Sequence, residues 1–210
     1  MRIAVINETS AADRNADILA ALDGLGHDVI NAGMKKCGVK PELSYIHTGL
    51  MAAVLINAGT VDFAVGGCGT GQGFLNSVMQ YPGITCGHII TPLDAWLFTQ
   101  INGGNCISLM LNQGYGWAGE VNLRFIFEKL FSVQPGAGYP ANRQQPQRES
   151  RELLLRLNRV THRRMQEILI ELPGDVAQPV AAYPGLIEFM ESWPGTDRAI
   201  LSALTGREKG

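Results

Sequence analysis

At 210 residues the chain has room for one domain, or one domain with an appendage, and 46% hydrophobic against 17% charged side chains is an ordinary globular composition. A formal net charge of −2 gives no electrostatic reason to expect a nucleic acid or a membrane surface as partner. No apolar run approaches the ~18 residues needed to cross a bilayer, and MRIAVINETS meets an acid too early for a signal peptide, so a cytoplasmic protein is expected.

Strand-length apolar runs alternate with helical patterns. Residues 2–6 (RIAVI) read as a first buried strand. A helix follows over 11–25, with Ile18, Leu19, Leu22 and Leu25 on one face. A short strand is expected at 27–31, a helix over 43–59 stopped by Gly59, and a third strand at 61–67. A helix over 74–80 ends before Pro82-Gly83. Strand 84–90, helix 93–101, strand 105–111 and helix 117–131 complete the alternation. Such an order describes an α/β three-layer sandwich on a five-stranded parallel sheet, whose ligands bind beyond the carboxyl ends of the strands. On that reading Glu8, Cys68 and Asn102 are neighbours.

Composition changes at QPGAGYPANRQQPQRES. The division expected is a core over 1–133, a connector over 134–150 and a mostly helical C-terminal extension over 151–210. One long amphipathic helix is predicted over 148–172, with Leu153, Leu154, Leu157, Val160, Met165, Ile168 and Leu169 forming its stripe, then two short helices. Arginines along it are interleaved with Glu149, Glu152 and Glu167, which favours a solvated face or subunit contact over nucleic acid.

The stretch VDFAVGGCGTGQGFLNSVMQ packs Gly66, Gly67, Gly69, Gly71 and Gly73 around Cys68 and Thr70. It fits neither the dinucleotide fingerprint, because Gln72 stands where the third glycine belongs, nor the Walker loop, which needs a lysine there. What remains is a strand, a glycine turn offering backbone N–H groups, and a helix, an arrangement that receives negative charge and favours a thiolate. The other cysteines, Cys37, Cys86 and Cys106, read as small buried hydrophobes in a reducing compartment. Neither they nor His27, His47, His88 and His162 have metal-ligand spacing, so no metal site is expected.

CGTGQG after VDFAVGG resembles the loop of the type B ribose-5-phosphate isomerase and galactose-6-phosphate isomerase family, and the flanking SYIHTGLMAAVLINAGTVDFAVGG, PGITCGHIITPLDAWLFTQINGGN and GYPANR extend the resemblance over residues 1 to about 148. It implies a Rossmann-like fold and an aldose–ketose isomerase of sugar phosphates that works without metal or cofactor. By resemblance Cys68 takes the proton beside the carbonyl to give an enediolate, Thr70 assists at the hydroxyl oxygens, and Asn102 contacts the reacting oxygens. Glu8, Tyr45 and the backbone of Gly69, Gly71 and Gly73 would bind substrate. Arg143 would bind the phosphate from the partner subunit of a homodimer or a dimer of dimers.

Three departures bear on the substrate. The family's ring-opening histidine is Ile101, its early Asp-His reads Glu8-Thr9, and an arginine after the fifth strand is Asn112. A tetrose 4-phosphate cannot close a stable five-membered ring and would need no ring opening; a pentose phosphate would need His47 or Glu8 to open it. The alternative class is a non-enzymatic phosphosugar-binding or regulatory module with an inert Cys68.

Overall fold

The computed structural model describes residues 1–206. Five strands, β1 (Arg2–Asn7), β2 (Asp28–Asn31), β3 (Phe63–Cys68), β4 (Cys86–Ile89) and β5 (Cys106–Met110), pair in parallel in the order β2-β1-β3-β5-β4. The expected five-stranded Rossmann-like sandwich is the fold observed. Alternate residues of each strand serve different layers. Ile3 and Val5 join a core with α1 (Asn15–Leu22), α4 (Pro92–Leu97) and α5 (Gly119–Leu130); Ala4 and Ile6 join a second core with α2 (Tyr45–Asn57) and α3 (Gln72–Val78). The chain leaves β1 for β2 on one side and reaches β3 on the other. The carboxyl ends of β1 and β3 therefore form the crevice where such sheets bind ligands.

Three expectations about the elements are corrected. The first helix opens as a 3-10 turn, Thr9–Arg14, before α1, because the Glu8 carboxylate accepts from the Ser10 N–H and sets a cap there. The long helix over 148–172 is two helices, α6 (Gln144–Thr161) and α7 (Met165–Glu171). His162 and Arg164 between them are extended, and the hydroxyl of Thr161 donates to the Leu157 carbonyl at the end of α6. The break lets Met165 and Leu169 turn back into the core, whereas α6 buries no residue.

The extension then contains three helices, not two: α8 (Gly174–Ala181), α9 (Leu186–Ser192) and α10 (Arg198–Thr205). Val180, Leu186, Met190, Ile200 and Leu201 share the core of α2, each buried side chain of this kind being worth about 1.5–3 kcal/mol. Pro179, inside α8, has no N–H to offer the Asp175 carbonyl, and the ring of His47 on α2 takes that carbonyl at 3.0 Å.

Candidate active site

Cys68 is the last residue of β3, and α3 begins at Gln72. Between them the N–H of Gly71 closes a turn on the Cys68 carbonyl at 3.3 Å. Gly71 has φ +76°, and a Cβ there would come within 2.5 Å of the His88 ring. The other glycines serve packing as well as approach. A Cβ on Gly66 would run into the fully buried ring of Phe74, and one on Gly73 would sit 2.9 Å from the ring of Tyr45. Tyr45, the first residue of α2, therefore lies flat over the start of α3. Gly69 differs, since a Cβ there would meet only ordinary contacts at 3.5 Å.

The Cys68 side chain is 6% exposed, with its Sγ 3.9 Å from the Thr70 hydroxyl. The end of β1 faces it. Glu8, 3% exposed, accepts from both the N–H and the hydroxyl of Ser10, and the Ser10 Oγ in turn accepts from the Gly69 N–H at 3.2 Å. Asn112 closes the third side, donating from Nδ2 to the Ser10 carbonyl at 2.7 Å. Of the backbone N–H groups from Gly69 to Gly73, that of Gly69 is held by Ser10, that of Gly71 by Cys68 and that of Gln72 by the Thr70 hydroxyl at 3.3 Å. Those of Thr70 and Gly73 have no partner among the described residues. Two donors thus remain for an incoming anion.

Two side chains hold the turn from below. His88 on β4 and Ser108 on β5 are register partners. The ring Nε2 of His88 lies 3.1 Å from the Thr70 carbonyl, and the Ser108 hydroxyl donates to the Gly71 carbonyl at 2.5 Å.

Asn102 is not a neighbour of Glu8 and Cys68. Helix α4 runs back against the strand direction, and Phe98–Asn102 continue it as a π-helical turn that ends where β5 begins. Cys68 pairs with Met110 at the far end of β5; five residues at about 3.3 Å each separate the two ends. Asn102, the last residue of the turn capped by Gly103, is exposed and lines a groove of about 470 Å³ along β4 with Met79, Cys86, His88, Asp94 and Ile101. Arg143 also belongs to that end. Its connector is pinned there by the N–H groups of Gly136 and Gly138 on the Thr99 and Gln100 carbonyls, at 2.8 and 2.7 Å. Arg151 joins the Ile101 and Gly136 carbonyls through its guanidinium, at 2.8 and 2.7 Å. Arg143 itself is exposed on the 3-10 turn Ala141–Arg143. One chain therefore brings together Glu8, Tyr45, Cys68, Gly69, Thr70, Gly71 and Gly73, and leaves Asn102 and Arg143 elsewhere.

His47 is also accounted for structurally. Its Nδ1 accepts from the Ser44 N–H at 3.1 Å in the cap of α2, and its Nε2 faces the Asp175 carbonyl. Neither ring nitrogen is free for a sugar ring. Cys37 donates its thiol proton to the Thr9 carbonyl, and burial pushes the Cys106 thiol up. Among the described residues no cluster of His, Cys, Asp and Glu could hold a metal ion, and no helix is long and apolar enough to cross a membrane.

The family model for Ribose/Galactose Isomerase matches residues 3–131. The chain belongs to that family. A ribose-5-phosphate isomerase, LacAB_rpiB, from Vibrio parahaemolyticus is 39% identical, with 97% of this chain and 99% of that one covered at a TM-score of 0.91. A 4-deoxy-L-threo-5-hexosulose-uronate ketol-isomerase complexed with a tartrate is 34% identical, with 98% and 100% covered and a TM-score of 0.91. Both share the C-terminal extension. The type B ribose 5-phosphate isomerase of Leishmania infantum, 16% identical with a TM-score of 0.60, shares the fold; 95% of its length covers 75% of this chain. No curated protein matches the chain. Membership decides between the two function classes the sequence left open: the protein is an isomerase-type enzyme.

Sequence reasoning passed over Ser10, Gln72, His88 and Ser108. Ser10 had a local signal, lying two residues after an acid that follows a strand, which is a capping arrangement. His88 and Ser108 are polar interruptions of apolar strands, and only the sheet order reveals that they stand side by side under the turn.

Proposed function

We propose that the protein interconverts an aldose and a ketose that carry a terminal anion, with Cys68 as the base. The Cys68 thiolate removes the proton from the carbon beside the carbonyl, and the bond electrons form an enediolate. The proton returns from Cys68 to the neighbouring carbon, while the Thr70 hydroxyl passes a proton between the two oxygens. The free N–H groups of Thr70 and Gly73 face the developing charge, each such donor being worth about 3 kcal/mol in a transition state. Glu8 acts through Ser10 and Gly69, and Tyr45 forms a wall. Asn102 and Arg143 are supplied by a second copy of the chain, because the sheet separates them from their own Cys68. The observation that carries the reading is Cys68 at the end of β3 with the Thr70 hydroxyl beside it, in the crevice between β1 and β3.

The first reading of the substrate is a sugar phosphate, of ribose 5-phosphate or tetrose 4-phosphate type, supported by the family and by the Vibrio relative. A second is favoured by a specific observation: no imidazole of this chain stands where Ile101 and Thr9 replace histidines. A 4-deoxy-5-hexosulose-uronate, the substrate class named for the 34% identical relative, has no hydroxyl at C4 or C5 with which to close a furanose or pyranose ring. Its aldehyde carbon is therefore not held in an aldofuranose or aldopyranose ring, and its anion is a carboxylate.

Solvent deuterium incorporation beside the carbonyl separates these readings. The panel is erythrulose 4-phosphate, ribulose 5-phosphate, tagatose 6-phosphate and 4-deoxy-L-threo-5-hexosulose-uronate. Exchange in a phosphate ester supports the first reading, and exchange in the uronate alone supports the second. No exchange in any of the four removes the proposal.

A further inference from the structure

The turn that carries Cys68 is held by consecutive carbonyls. Thr70 O meets the Nε2 of His88 at 3.1 Å, and Gly71 O accepts from Ser108 at 2.5 Å. A carbonyl can only accept, so His88 carries its proton on Nε2. The other ring nitrogen, Nδ1, then accepts, and the Gln72 side-chain amide stands 3.4 Å from it. Both neighbours are met by the tautomer with its hydrogen on Nε2.

A trans peptide points its carbonyl and the next N–H in opposite directions. Drawing the Thr70 carbonyl down to His88 therefore turns the Gly71 N–H up onto the Cys68 carbonyl. Drawing the Gly71 carbonyl down to Ser108 turns the Gln72 N–H onto the Thr70 hydroxyl, and that hydroxyl stands beside the Cys68 sulfur. Of the four histidines, His88 is the one in contact with the glycine turn; His47 is committed to Ser44 and Asp175. Gly71 is held to glycine by both its φ and the His88 ring.

We infer that His88 is a positioning residue for the isomerase reaction: its Nε2–H fixes the Thr70 peptide, and through it the Cys68–Thr70 geometry. The inference rests on Cys68 being the base.

The test uses the full-length protein and two variants. His88→Gln keeps an amide N–H at the reach of Nε2, and His88→Ala removes the donor. Each is treated with iodoacetamide, and modification of Cys68 and of fully buried Cys106 is followed by peptide mass spectrometry. Turnover is measured on the panel compound that the wild type converts fastest. In His88→Ala, Cys68 should be modified several-fold faster while Cys106 stays at the wild-type rate, because the turn loosens without the core opening. Its kcat should fall about tenfold or more, in keeping with the cost of misplacing a reacting group, with KM changed less than kcat. His88→Gln should return both readouts toward wild type.

Wild-type Cys68 modification in His88→Ala overturns the inference. So does a rise shared equally by Cys106, which signals global opening, or a glutamine variant as impaired as the alanine one. Cys68→Ala in the same assay tests the underlying reading separately. If it turns over normally, the base assignment fails; if it is inactive while His88→Ala is normal, only the role of His88 fails.

Discussion

At the scale of single residues, Cys68 is the side chain whose removal should cost most and disturb least. It is small and sits at a strand end, so Cys68→Ala opens no large cavity. Isomerisation should fall by about 10²–10⁴-fold, the usual worth of a general base, with the thermal midpoint within a few degrees of wild type. Proton exchange at substrate carbon should vanish with turnover, and wild-type exchange in the variant would move the base elsewhere.

His27 carries a different prediction. Its ring lies 4.4 Å from that of Phe131, with both nitrogens buried and without partners among the described residues, and burial lowers its pKa. The unfolded chain takes up a proton as pH falls through about 6.5 while the folded one does not. Stability is therefore complete above that pH and declines below it, until the lowered folded pKa is reached. Urea midpoints measured from pH 7.5 to 5.5 should slope less in His27→Phe than in wild type; equal slopes would contradict this account.

At the scale of elements, most strands and helices were legible, because apolar runs and 3.6-residue spacing survive into the fold with small changes at the ends. Two things were not. The apolar stripe from Leu157 through Val160 to Met165 and Leu169 keeps helical spacing across the break at 162–164, so periodicity alone cannot find it. What decides the break is burial of Met165 and Leu169 in the core that α7 shares with α10, a tertiary fact. Asn102 was misplaced because nearness to a strand in sequence does not say which end of the strand is meant. The glycine turn was legible in composition, yet much of its glycine content serves Phe74, Tyr45 and His88, partners that the sequence does not announce. Helix α6 is left with Leu154 58%, Leu157 50% and Val160 84% exposed. If a second copy covers that face, the double variant Leu154→Glu/Leu157→Glu should shift sedimentation velocity from dimer to monomer with little loss of intrachain stability. An unchanged sedimentation coefficient would place the subunit contact elsewhere.

At the scale of the whole molecule, the separation of Cys68 from Asn102 and Arg143 predicts an active site made by two copies. Arg143→Ala and Cys68→Ala proteins, each impaired, should regain activity when mixed under conditions of subunit exchange, because a hybrid has one intact site. No recovery after exchange is confirmed by mass spectrometry would count against sharing.

The carbonyl freed by Pro179 and taken by His47 joins the extension to the first turn of α2, and Tyr45 in that turn lies on Gly73 in the first turn of α3. The bond makes the tail and the crevice beside Cys68 two ends of one thermodynamic cycle. A ligand that settles against Tyr45 and steadies the start of α2 must strengthen the docking of α8 by the same free energy with which docked α8 strengthens the ligand. Protease cleavage within α8 should therefore slow as ligand is added, and the ligand concentration that halves the cleavage rate would report affinity at a site the protease never touches.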